Sequence, residues 1–146
     1  MRLSLALRLL ALAVAGVLLL SGAAWLMIGW AGPAEPHLPG TGSGTDANAW
    51  RPFLLQLHGA GAFAALLLLG ALVPLHVVPA WKSRRNRASG VGILLTMGVL
   101  VVSAYALYYC GDERWRAALS GLHSWLGLAS PFAIAGHLWL GRRSRP

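Results

Sequence analysis

The residues of this chain best suited to chemistry are four histidines set in or beside long apolar runs: His58, His76, His123 and His137. An ionisable side chain inside a membrane marks function by default. Neutral imidazole nitrogen is a good ligand for iron, and one histidine from each of two helices can clamp a haem axially. Eighteen residues separate His58 from His76. At ~100° per residue that is five whole helical turns, so both rings leave one face. Fourteen residues separate His123 from His137, only ~40° short of four turns. Each run therefore carries two ligands on one stripe, one near each end. His58 follows Arg51 by seven residues and His123 follows Arg116 by seven, while His76 precedes Lys82 by six and His137 precedes Arg142 by five. These offsets predict an outer pair, His58 with His123, and an inner pair, His76 with His137. The internal spacings are ~27 Å and ~21 Å in uniform helix. Tilt of the second helix, or a bend at Pro74, absorbs the difference.

The elements that must hold these histidines are long and apolar. Apolar residues make up 57% of the 146 and charged residues 11%, against roughly 25% charged in soluble domains. The expected fold is all-α, an integral membrane four-helix transmembrane bundle forming one domain over 1–146. Its spans are about 9–31, 53–79, 90–110 and 117–140, each near the ~20 residues a crossing requires. An outer loop at 32–52, rich in Pro, Gly, Ser and Thr, joins the first two. Ser21-Gly22-Ala23-Ala24 resembles a signal-peptide cleavage region. The hydrophobicity nevertheless continues through Trp25 to Trp30 and favours a retained helix. Pro74 and Pro79 predict a kink or early unwinding at the end of the second span.

Charge sets the expected orientation. The net charge of +8 comes from short basic clusters between apolar spans, which speaks for topology rather than nucleic acid. With both termini in the cytoplasm, that side collects nine of the twelve basic residues: Arg2, Arg8, four in the 82–87 turn and three in the tail. Arg51, Arg114 and Arg116 fall outside with all four acids, Glu35, Asp46, Asp112 and Glu113. Trp30, Trp50, Trp115, Tyr108 and Tyr109 mark the outer interface, and Trp81 and Trp139 the inner one. Cys110 is the single cysteine, which excludes an intramolecular disulfide or thiolate cluster. It and Met97 read as packing residues.

A flat porphyrin needs small residues beside its ligands. Gly127 and Ser130 follow His123 at helical steps, and Ala62 and Ala65 follow His58. The same residues also suit plain close helix packing. Arg51 and Arg116, with Arg114, are candidates for pairing with haem propionates outside, and Arg84 and Arg85 inside. Topology and lipid contact are their competing roles. His37, in the outer loop, has no helical counterpart and is set aside.

Two histidines on each of two helices, ending in His123-Ser-Trp-Leu-Gly…Gly-His137-Leu-Trp-Leu and a basic tail, resemble the bacterial di-haem b-type membrane cytochromes. The cytochrome b561-like proteins are the nearest broad group. The likeness covers roughly 53–143, and the fourteen-residue histidine spacing is typical of these folds. It implies two low-spin, bis-histidine haem b groups, and electron transfer between a quinol pool and a redox partner protein in a bacterial inner membrane. On that reading the chain is the membrane subunit of a larger oxidoreductase rather than a stand-alone enzyme. Two other classes compete with it: a histidine-lined transporter of protons or a transition metal, and a structural membrane subunit. Hydrophobicity excludes a soluble enzyme, and there is no nucleophile–base constellation and no Gly-rich phosphate loop.

Overall fold

The computed structural model describes residues 4–31, 47–84 and 86–143. Its elements are α1 (Leu5–Ala31), a 3-10 turn (Ala47–Trp50), α2 (Arg51–Leu72), a π-helix (Val73–Val77), α3 (Val78–Lys82), α4 (Arg87–Tyr109) and α5 (Glu113–Arg143). Among the described residues there is no strand. Three segments are long and apolar enough to cross a membrane: Leu5–Gly29, Arg51–Lys82 and Arg87–Tyr109. The helix expected over 117–140 is present as α5, 31 residues long. Its charged first turn, serines and histidines make it less apolar than the other three. The expected outer loop is shorter than 32–52, because Arg51 and Pro52 already belong to α2. Most of it lies outside the described residues, with His37, Glu35 and Asp46. Arg2, Arg85 and Arg145 lie outside them too.

Helix ends extend beyond the apolar runs wherever a polar residue can cap them. The Ser4 hydroxyl accepts the Leu7 N–H at 3.2 Å, so α1 starts ahead of residue 9. Asp112 Oδ1 accepts the N–H groups of Arg114 and Trp115, each at 3.0 Å. That caps α5, whose Glu113 and terminal Arg142 and Arg143 complement the helix dipole. Between α3 and α4 the chain reverses through left-handed Arg84 (φ 56°) and Asn86 (φ 51°). Asparagine tolerates that region better than arginine does.

The expected break at Pro74 takes the form of the π-helix. Pro74 has no N–H to offer the carbonyl four residues back. The turn widens, and the Val78 N–H bonds to the Val73 carbonyl, an i→i+5 pattern frequent at functional sites. The five-turn arithmetic from His58 to His76 assumed uninterrupted α-helix and does not carry past Leu72. Pro131, inside α5, leaves the Gly127 carbonyl without its usual partner. The Ser130 hydroxyl donates to that carbonyl at 2.8 Å, the repair that lets proline sit inside a membrane helix.

The described residues divide into two compact units, one within 4–69 and the other within 70–143. In the first, α1 and α2 run antiparallel. The Arg51 guanidinium carbon lies 4.3 Å from the Trp25 ring centre. Further along, a Cβ on Gly61 would stand 3.2 Å from the Leu18 side chain and 3.3 Å from the Val17 side chain, so alanine there would require those side chains to shift. In the second unit α4 and α5 are antiparallel, and Arg87 donates to the Trp81 carbonyl at 2.7 and 3.1 Å, closing the turn.

Burial is inverted relative to a water-soluble protein. Among the described residues no hydrophobic side chain is buried, whereas Ser21 and Ser103 are each only 2% exposed. Phe63, Leu67 and Phe132 are all more than 70% exposed. Such surface suits lipid, where polar groups must find partners inside the protein. The aromatic residues Trp50, Trp81, Tyr108, Tyr109, Trp115 and Trp139 are likewise exposed, as interfacial anchors are.

Candidate functional site

Three of the four histidines rest on a serine of the preceding long helix. His58 Nδ1 lies 3.1 Å from Ser21 Oγ and 3.1 Å from the Leu18 carbonyl. His123 Nδ1 lies 2.9 Å from Ser103 Oγ, and His137 Nδ1 3.0 Å from Ser89 Oγ. Each hydroxyl has one proton, and each donates it within its own helix: Ser21 to the Val17 carbonyl at 2.6 Å, Ser103 to Leu100 at 3.1 Å, Ser89 to Asn86 at 3.1 Å. Where each hydroxyl keeps its proton on those carbonyls, the serine oxygen accepts from the imidazole and Nδ1 carries the hydrogen. For His58 the Leu18 carbonyl, an acceptor only, requires the same tautomer. In a neutral ring with Nδ1–H the lone pair sits on Nε2. An outer acceptor on one nitrogen and a basic pair on the other is the arrangement of metal-ligating histidines.

The residue after each serine is small: Gly22, Gly90 and Ala104. A Cβ on Gly22 would come within 3.1 Å of His58 Cε1, and one on Gly90 within 3.9 Å of His137 Cε1. At His58 the serine holds the nitrogen and Gly22 makes room for the adjacent ring carbon, whereas a Cβ on Gly90 would make only ordinary contact with His137. The second unit repeats this seat at equal steps, fourteen residues from Ser89 to Ser103 on α4 and fourteen from His123 to His137 on antiparallel α5. The His123–His137 stripe expected from spacing thus faces α4. A further repeat, Arg51-x-x-Leu54-x-x-Leu57-His58 against Arg116-x-x-Leu119-x-x-Leu122-His123, starts both histidine helices.

The inner pair is brought together. The His76 and His137 ring centres are 6.3 Å apart with planes at 86°. Two imidazoles trans on one metal, with ~2.0 Å bonds and ~1.2 Å from ring centre to nitrogen, have centres ~6.4 Å apart. The observed separation is too long for a hydrogen bond between their nitrogens, and it is the length that a metal between two facing nitrogens would need. Among the described residues no three His, Cys, Asp or Glu side chains converge. Haem asks the protein for only two ligands.

The remaining expected residues divide. Arg51 is half-buried over Trp25, and its Nε is buried with no hydrogen-bond partner. Arg116 is exposed and reaches the Cys110 carbonyl at 3.4 Å. Ala62 and Ala65 are half-buried on α2. Gly127 is open, since a Cβ there would meet nothing within 4 Å. Ser130 uses its hydroxyl on the Pro131 break, a backbone duty that its small size did not announce. Arg84 is exposed in the turn. Ser21, Ser89 and Ser103 went unnoticed in the sequence, although Ser89 and Ser103 share the histidine spacing. No family model, curated protein or solved structure matches this chain.

Proposed function

We propose that the chain is a membrane-integral di-haem b cytochrome that relays electrons across a bacterial inner membrane. His76 and His137 hold the inner haem, and His58 and His123 the outer one. The observation that carries this reading is the inner pair: two imidazoles with ring centres 6.3 Å apart, one of them held through Nδ1 by Ser89 of α4. The residues suit the group: all four supply an imidazole donor in a low-polarity setting, and three of the rings are held through Nδ1. Haem supplies the one-electron couple. If two histidines held each haem, the chain would serve as an electron conduit rather than a site of bond chemistry on a substrate.

The protein's part is orientation and tuning. Ser21, Ser89 and Ser103 fix three rings and raise their donor strength. Gly127, Ser130, Ala62 and Ala65 would leave the flanking faces thin, and Arg51 and Arg116 are the candidates for pairing with outer propionates. Antiparallel contact with α4 supports a full crossing by α5 as the fourth span. Its 31 residues are ~46 Å long. The basic clusters favour both termini in the cytoplasm. Quinol and a redox partner protein are the expected donor and acceptor. The test is a reduced-minus-oxidised spectrum of the purified chain. A b-type band is expected, whereas a colourless chain, or one binding zinc alone, overturns the reading.

A further inference from the structure

The four histidines are not held alike. His58, His123 and His137 each have Nδ1 anchored on a serine. Among the described residues His76 makes only the ring contact with His137. Losing the outer hydrogen bond of a ligating histidine typically weakens metal binding about 10–100-fold, so His76 is the weaker member of its pair. Its backbone points the same way. His76 lies inside the π-helix, between Pro74 and Pro79, two residues that contribute no N–H to brace the turns around it. His137 stands in α5 with its tether to α4. Swinging His76 aside requires neither breaking a side-chain hydrogen bond nor bending a continuous α-helix.

We propose that His76 is the exchangeable ligand of the inner pair, so that the inner haem takes small neutral π-acceptor ligands of the carbon monoxide type on the His76 side. The inference rests on the bis-histidine haem reading. In the exchange the iron–nitrogen bond to His76 breaks with both electrons staying on the imidazole. The carbon lone pair of the incoming ligand forms the new bond. No electron or proton is transferred, and His137 stays in place. The outer pair, anchored on both sides, does not exchange.

The experiment uses the full chain, reduced with dithionite and titrated with carbon monoxide, with haem counted per chain. The expected result is an adduct at about half of the haem. His76→Ala should retain haem on His137 and bind carbon monoxide at that half more tightly than the wild type, because no imidazole competes for the position, while His137→Ala should lose the inner haem and the adduct with it. Two haems per chain with no adduct would overturn the inference and leave the cytochrome reading standing. So would an adduct that survives His137→Ala. A chain without haem overturns both.

Discussion

Replacing Ser103 with alanine separates a packing hydrogen bond from a ligand-positioning one. Ser103 is 2% exposed, and its oxygen lies 2.9 Å from His123 Nδ1. If the contact only joins α4 to α5, its loss costs about the ~0.6 kcal/mol typical between membrane helices, a ~3-fold effect on helix association and none on cofactor. If Nδ1 is being held so that Nε2 can bind iron, the mutation strands a buried N–H, costing ~1–3 kcal/mol. Outer-acceptor loss gives ~10–100-fold in ligand affinity, or ~1.4–2.7 kcal/mol, so the two routes agree. Electron density withdrawn from Nε2 also raises the reduction potential of that one haem. The assay is haem titration into the apoprotein with a redox titration of the loaded form. Thr96→Ala serves as control, because Thr96 lies on the same helix but bonds only to the Gly92 carbonyl. Equal haem affinity and unshifted potentials in Ser103→Ala and the control would refute the reasoning.

Other perturbations test the geometry elsewhere. Gly22→Ala places a methyl 3.1 Å from His58 Cε1. It should displace that ring and lower outer-haem occupancy several-fold, read as loss of one spectral component. Gly127→Ala meets no protein atom and should favour the helix by ~1 kcal/mol. Reduced haem occupancy despite a higher unfolding temperature would place porphyrin against that face, and unchanged occupancy would remove Gly127 from the site. Ser130→Ala strands the Gly127 carbonyl beside Pro131. It should lower thermal stability by ~1–3 kcal/mol and leave both haem potentials where they were.

Much of the architecture was readable because lipid imposes a simple rule, that a spanning segment be long, helical and apolar. The runs behind α1, α2 and α4, the break at Pro74 and the His123–His137 stripe all follow from it. Helix ends were harder to place. The Ser4 and Asp112 caps and the turn through Asn86 lie outside the apolar runs. The form of the Pro74 break also escaped, since a missing N–H predicts disruption without choosing between bend and π turn. The serine seats were hidden for a different reason. A lone serine in an apolar helix ordinarily bonds back to its own carbonyls, and Ser21, Ser89 and Ser103 do that too. Only their second contact, across to another helix, gives them a role. Ser21-Gly22 looked like a cleavage region because a histidine seat and a peptidase both select small residues.

The most direct measurement is the haem count per chain in the wild type beside His123→Ala and His137→Ala. The account predicts about two haems falling to one in each variant, with the two residual spectra differing because a different haem remains. A wild-type chain with no haem, or two haems retained in both variants, would contradict it.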